Sequence, residues 1–190
     1  MKYAFLATII IMSMTVLAGC AQKSLNSPTP MPQNILQFQV TGYKNGATIP
    51  VKYATVVGGG ENISIGLKWQ KVPAAKSYAL LFDDHFPPAR NWTHWIVVDI
   101  PNTIDQIPEG TSRTNMPAGS RELGTSWGKT GYDGPQAPVG SGPHEYVAHF
   151  YALDVEKLSI GKSPTHAEFL KAVDGHTLAE GRYSGFFERK

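Results

Sequence analysis

The chain has 190 residues, and its 17 Lys and Arg against 15 Asp and Glu give a formal net charge of +2 at pH 7. Nucleic-acid binding needs Lys and Arg clustered on one face, and this near-balanced charge supplies no such surface. We therefore expect no nucleic-acid partner. The lone cysteine cannot form an internal disulfide, so it has no structural role in an oxidising compartment.

The N-terminal segment has the parts of an export signal. Lys2 provides a positive start, and residues 4–16 form an apolar run that is too short to span a bilayer. The next residues, Leu17-Ala18-Gly19-Cys20, resemble the end of a bacterial lipoprotein signal, in which cleavage precedes the cysteine and fatty acids such as palmitate are attached to it. This resemblance predicts a signal peptide over residues 1–19 and lipidation at Cys20. The alternative is an ordinary signal peptide with an incidental cysteine.

Residues 20–34 are predicted to form a lipidated cysteine followed by a polar tether. Pro28, Pro30 and Pro32 alternate with other residues there, which favours an extended chain. Ala21 after Cys20 resembles the sorting pattern of outer-membrane lipoproteins. We therefore expect a lipid-anchored protein of the cell envelope, held at the outer membrane and facing the periplasm. Residues 35–190 then form one domain.

Hydrophobic patterning predicts strands through most of that domain. Residues 36–40 and 63–69 alternate between apolar and polar side chains, as in strands with one buried face. Residues 78–82 and 95–98 are almost continuously apolar and predict central strands that are covered on both faces. Residues 144–153 predict another strand.

One short helix is predicted near the C-terminus, and a long loop precedes the last predicted strand. Ser163 is the expected N-cap and Gly175 the expected stop, with Pro164 at the first helical position and an apolar face of Phe169, Leu170 and Val173. Residues 115–143 are dense in Gly and Pro, and a loop of that length is usually functional or held by its own contacts. The pattern as a whole predicts a mainly β, mostly antiparallel domain.

Three polar clusters lie at the ends of predicted strands. They are residues 83–88, residues 92–95, and the stretch from Gly128 to Tyr146. Each has an ordinary structural explanation when taken alone. Two aspartates before a proline pair are common in turns, and His94 between tryptophans fits a core histidine.

In this order the clusters resemble a known family. Asp-x-x-x-Pro, Trp-x-His-Trp, Gly-Lys-x-Gly-Tyr-x-Gly-Pro and Gly-x-His-x-Tyr are similar to the motifs of phosphatidylethanolamine-binding proteins, in their bacterial Raf kinase inhibitor-like branch. The resemblance runs from about Phe38 to the C-terminus. It implies a large central antiparallel sheet, a second smaller sheet and a short C-terminal helix. It also implies a small pocket for anionic, phosphate-bearing groups, with no cofactor and no metal.

The resemblance assigns side chains to that pocket and residues to its rim. The pocket residues are Asp83, His94, His144 and Tyr146, and the rim residues are Pro138, Gly131 and Gly134. Two imidazoles and a phenol can donate hydrogen bonds to phosphate oxygens, and a glycine-rich turn can bring N–H groups close. Asp83 is expected to accept a hydrogen bond from an imidazole and so to fix its tautomer.

The chain departs from the family pattern in two motifs. The family commonly has Asp-Pro-Asp-x-Pro, where residues 83–87 read Asp-Asp-His-Phe-Pro, and Gly-Pro-Cys-Pro-Pro, where residues 134–138 read Gly-Pro-Gln-Ala-Pro. On this alignment His85 replaces a carboxylate and becomes a candidate ligand-binding group at the pocket entrance. The alternative is a solvent-facing loop histidine.

Three functions compete at this stage. The first is a membrane-anchored extracytoplasmic protein, not an enzyme, that binds phosphate-bearing small molecules or lipid head groups. The second is an inhibitor or modulator of a hydrolase or host protein that acts through the pocket rim. The third is a metal-dependent hydrolase with ligands drawn from Asp83, His85, His94 and His144, although the sequence has no His-x-x-x-His spacing.

Overall fold

The computed structural model describes residues 34–87 and 91–190. The predicted signal peptide over residues 1–19, the lipidation site Cys20 and the tether as far as residue 33 lie outside this range. Among the described residues, no helix is both long enough and apolar enough to cross a membrane.

Strands dominate the described part of the chain, with one 3₁₀ turn at Val51–Tyr53 and one α-helix, α1, at His166–Val173. The strands are β1 (Asn34–Ile35), β2 (Phe38–Val40), β3 (Ala47–Thr48), β4 (Leu67–Trp69), β5 (Ser77–Asp84), β6 (Trp92–Pro101), β7 (Gln106–Ile107), β8 (Arg121–Glu122), β9 (His144–Leu153) and β10 (Thr177–Phe187).

The strands form one large and one small sheet. The large sheet has the order β1-β10-β9-β5-β6-β8, and β3 also pairs with β10. Its central pairs are antiparallel, whereas β1 and β3 join β10 in parallel. The small sheet is antiparallel and has the order β2-β4-β7. The mainly β fold with two sheets and a short helix is therefore confirmed.

The central strands are buried on both faces, as their continuous apolar runs predict. One face carries Phe82 and Phe150 and packs against the small sheet through residues such as Trp69. The other face carries Leu81 and packs against α1 through Phe169. The large sheet is thus the middle layer, and side chains that alternate along one strand reach two separate environments.

Two predicted boundaries are wrong. Of the segment predicted as a strand over residues 63–69, only β4 pairs with a neighbour. The helix begins after Thr165 instead of Ser163, because Thr165 and Glu168 form a capping box. The Thr165 Oγ1 accepts from the backbone N–H of Glu168 at 3.2 Å, and Glu168 Oε2 accepts from the N–H of Thr165 at 2.8 Å.

Candidate functional site

Two adjacent carboxylates at the end of β5 lie on opposite faces of the large sheet. In the β5–β9 register, Asp84 pairs with Tyr146 and Asp83 pairs with Val147. Asp84 Oδ2 lies 2.7 Å from His144 Nδ1, whereas Asp83 contacts histidines on the helix side of the sheet. The expectation that Asp83 converges with His94, His144 and Tyr146 is therefore wrong. Asp84 takes that place.

The error has a simple physical origin. The spacing Asp-x-x-x-Pro fits Asp83 with Pro87 and equally fits Asp84 with Pro88. A shift of one residue along a strand moves a side chain to the other face. The alternation of β5 is regular through Asp83 and Asp84, because its register with β9 has no shift there. The irregular pairing with β6 leaves the extra residue on β6, where His94 between Thr93 and Trp95 has no partner on β5.

His144 is held from both ends of its ring. Its Nδ1 donates to Asp84 Oδ2, and its Nε2 lies 2.9 Å from Ser141 Oγ. The ring is only 3% exposed, because Phe86 stacks on it with ring centroids 3.8 Å apart. The role expected of Asp83, which is to fix the tautomer of an imidazole, is thus performed by Asp84.

His94 and Tyr146 complete this group, with ring centroids 5.2 Å apart. His94 Nδ1 donates to the carbonyl of Asp133 at 2.7 Å, which leaves Nε2 as an acceptor in the neutral ring. Burial lowers the pKa of His94, so the neutral form is favoured. Burial and the nearby charge of Asp84 raise the pKa of Tyr146, so its hydroxyl keeps its proton. We call Asp84, His94, His144 and Tyr146 the Asp84 cluster.

The backbone N–H groups of the predicted rim glycines are already used in hydrogen bonds within the protein. The N–H of Gly134 donates to Asn62 Oδ1 at 2.8 Å, and the N–H of Gly131 donates to the Leu123 carbonyl at 3.3 Å. Pro138 is exposed, and its carbonyl accepts from Ser141 Oγ at 2.7 Å. The Pro138–Ser141 turn therefore lies over the Nε2 edge of His144.

A second polar group lies on the helix side of the sheet, and it contains His85. Asp83 Oδ1 is 3.1 Å from His85 Nε2 and 3.8 Å from His149 Nε2. Asp83 Oδ2 is 3.1 Å from Nε2 of His166, the first residue of α1. His85 is thus not at the entrance of the Asp84 cluster. We call Asp83, His85, His149 and His166 the Asp83 cluster.

The Asp83 cluster perturbs the ionisation of its members. Burial alone would raise the pKa of Asp83, but the neighbouring His166 and His85 lower it. The Asp83 carboxylate in turn raises the pKa of His85. Burial lowers the pKa of His149, whose ring faces that of His85.

Sequence reasoning missed several members of the two clusters. Asp84 could have been found from its equal fit to the proline spacing. His149 and His166 stand outside the family motifs, and only the pairing of Leu81 with His149 and the docking of α1 bring them to Asp83. The metal-ligand set considered from sequence is also wrong, because it combined His94 and His144 with two residues of the opposite face.

The comparisons with known proteins agree with the fold. The sequence profile described as phosphatidylethanolamine-binding protein matches residues 39–188. A UPF0098 protein of Methanothermobacter thermautotrophicus is 34% identical over 156 residues, which cover 81% of this chain and 99% of the relative. LppC of Mycobacterium tuberculosis, provisionally named as a lipoprotein, is 29% identical over 166 residues, covering 87% of this chain and 79% of LppC.

Among solved structures, Escherichia coli YbcL, described as a new member of the mammalian PEBP family, superposes with a TM-score of 0.75 at 27% identity. The match covers 82% of this chain and 99% of YbcL. The chain belongs to the phosphatidylethanolamine-binding protein family, a family of ligand-binding proteins.

Proposed function

We propose that this chain is a membrane-anchored extracytoplasmic binding protein whose Asp84 cluster takes phosphate-bearing groups such as phospholipid head groups. The observation that carries the proposal is the Asp84–His144 pair. Because Asp84 occupies Nδ1 at 2.7 Å, the remaining Nε2 edge of His144 faces the Pro138–Ser141 turn at the protein surface. A phosphate oxygen would take the position of Ser141 Oγ on that edge.

The donor and acceptor pattern of the cluster suits a phosphodiester. The Tyr146 hydroxyl and an N–H on the Nε2 edge of His144 can donate to anionic oxygens, and both hydrogen bonds gain strength from the low local dielectric. Neutral His94 and the Asp84 carboxylate offer acceptors, which suit an ammonium or hydroxyl group on the same ligand. A head group that combines phosphate with an amine can pair with both the donors and the acceptors of the cluster.

The cluster is closed in this conformation. Its members are 0–4% exposed, and Phe86 covers His144. Ligand entry therefore requires the Phe86 ring and the Pro138–Ser141 turn to move outward. Both belong to connecting segments, which move more readily than the central strands.

Calorimetry with glycerophosphoethanolamine tests the binding half of the proposal, with glycerol and ethanolamine as controls that lack phosphate. We expect saturable binding of the phosphodiester with one equivalent and none of the controls. Equal binding heats for all three compounds would refute the proposal that the Asp84 cluster binds anions.

The anchoring half of the proposal rests on Leu17-Ala18-Gly19-Cys20 and on the similarity to LppC. Labelling with radioactive palmitate should mark the wild-type protein, and Cys20→Ser should give an unlabelled, uncleaved precursor. Separation of inner and outer membranes then tests the proposed outer-membrane location. Normal processing and membrane retention of Cys20→Ser would exclude the lipid anchor.

A further inference from the structure

We propose that the Asp83 cluster binds one zinc ion through Asp83 Oδ1, His85 Nε2 and His149 Nε2. This site lies on the helix side of the sheet, on the face opposite the Asp84 cluster. Three of the chain's six histidines gather there around one carboxylate.

The spacing of the three atoms matches the edges of a zinc coordination tetrahedron. His85 Nε2 and His149 Nε2 are 3.4 Å apart, and Asp83 Oδ1 is 3.1 Å from the first and 3.8 Å from the second. Bonds of about 2.0–2.2 Å from zinc to N and O in a tetrahedron place neighbouring ligand atoms about 3.3–3.6 Å apart. All three ligands therefore reach one ion after shifts of a few tenths of an ångström.

Hydrogen bonding does not account for the arrangement. A single proton on His85 Nε2 can serve Asp83 Oδ1 or His149 Nε2, but it cannot align with both. Asp83 is 0% exposed, and within the described residues its Oδ2 has no hydrogen bond, because His166 Nε2 lies 3.1 Å away but is poorly aligned. A cation between the three atoms would compensate the buried charge and satisfy both ring nitrogens.

Groups around the ligands suit a metal site as well. Glu180 Oε1 lies 3.5 Å from His149 Nδ1, which makes no hydrogen bond within the described residues. A proton on Nδ1 would face that carboxylate and leave the lone pair on Nε2 free for a metal. His166 faces the second oxygen of Asp83 and acts as a positioning residue. The cluster borders a cavity of about 700 Å³ between α1 and the sheet, which gives an ion a path from solvent.

The ligand set selects among metals. Imidazole nitrogens favour zinc, copper and nickel, whereas magnesium and calcium prefer sites made of oxygen atoms. The site should therefore bind zinc and discriminate strongly against magnesium.

Calorimetry on the full chain, purified in detergent without a polyhistidine tag and stripped with EDTA, tests the proposal. We expect one equivalent of zinc and no response to magnesium. Cobalt substitution should give the visible absorption of a four-coordinate site with nitrogen and oxygen ligands.

Single substitutions assign the ligands. His85→Ala and His149→Ala should each weaken zinc binding by more than the ~10–100-fold typical of outer-shell changes, and His166→Ala should fall within that range. His176→Ala is the matched control, because His176 also pairs with a carboxylate, Asp154 at 2.9 Å, and lies outside the cluster. It should bind zinc like the wild type.

Two results would overturn the proposal. One is a wild-type protein that takes up no stoichiometric zinc. The other is wild-type affinity in both His85→Ala and His149→Ala. Melting curves in EDTA show whether each variant is folded. His85→Ala is the substitution least expected to unfold the protein, because His85 is partly exposed and lies after the end of β5.

Discussion

Removing the Nε2 edge of His144 gives the most direct test of the Asp84 cluster. His144→Asn retains an amide near the position of Nδ1, so Asp84 keeps a hydrogen-bond partner while the Nε2 edge is lost. A charge-assisted hydrogen bond contributes about 1.5–3 kcal/mol. The affinity for glycerophosphoethanolamine should therefore fall about 10- to 150-fold, at about 1.4 kcal/mol per factor of ten.

His144→Ala should lose as much affinity and also destabilise the fold. The Asp84 side chain is 6% exposed, and truncation of its partner leaves a buried charge without compensation. Loss of one partner from a buried pair costs about 3–5 kcal/mol. Urea denaturation of the two variants should thus separate the contribution of His144 to stability from its contribution to binding.

His149→Ala is the control on the same strand, because His149 lies on the opposite face of the sheet. It should lose zinc binding and bind glycerophosphoethanolamine like the wild type, whereas His144→Asn should show the reverse. Calorimetry of both variants, each titrated with zinc and with glycerophosphoethanolamine, measures which ligand each variant has lost. If His144→Asn is folded and binds the phosphodiester within twofold of the wild type, the assignment of the Asp84 cluster is refuted.

Three further outcomes are expected. Phe86→Ala should bind glycerophosphoethanolamine about 2- to 10-fold more tightly, since a ligand no longer displaces a stacked ring worth about 0.5–1.5 kcal/mol; weaker binding in calorimetry would show that Phe86 contacts the ligand. Gly134→Ala should lower the melting temperature by about 6–12 °C, because its Cβ would lie 1.8 Å from the Tyr53 carbonyl oxygen and overpacking costs up to about 3 kcal/mol. Gly161→Ala is the control, because a Cβ there would meet no atom of the described residues within 4 Å, and equal melting of the two variants would contradict this packing. The buried neutral His94 should make stability fall as pH drops below about 6.5, where the unfolded chain takes up a proton that the folded state disfavours; urea titrations of His94→Gln should show a shallower fall, and an unchanged slope would exclude His94 as its source.

The continuous apolar runs were sufficient to predict the centre of the fold. β5, β6 and β9 lie where residues 78–82, 95–98 and 144–153 predicted strands. These strands are covered on both faces, so their burial is visible in composition alone.

The last strand, β10, was not predicted, because glycines interrupt its apolar pattern. Gly181 and Gly185 occupy inward positions of an alternating strand. A Cβ at Gly181 would lie 2.3 Å from the Leu36 carbonyl oxygen, and one at Gly185 would lie 2.6 Å from Ile49 Cγ1. Both positions need glycine because neighbouring segments approach the strand closely, and a single sequence does not show such contacts between distant segments.

The candidate site was predicted in its histidines and tyrosine but not in its carboxylate. His94, His144 and Tyr146 lie together, as the family motifs indicated. The choice between Asp83 and Asp84 depends on which face of β5 each residue occupies, and that is set by the regular alternation of β5 in its register with β9. Sequence spacing alone leaves this choice open.

The Asp83-Asp84 pair makes sense only with histidines on both sides of the sheet. Two adjacent carboxylates that are 0% and 4% exposed would be strongly unfavourable if they shared one environment. The alternation of the strand sends them to opposite faces, and each meets an imidazole, His85 for Asp83 and His144 for Asp84. The same alternation along β9 places His144 and His149 on opposite faces. One pair of strands thus builds two separate polar sites, and a one-residue slip between them would leave both carboxylates buried without their partners.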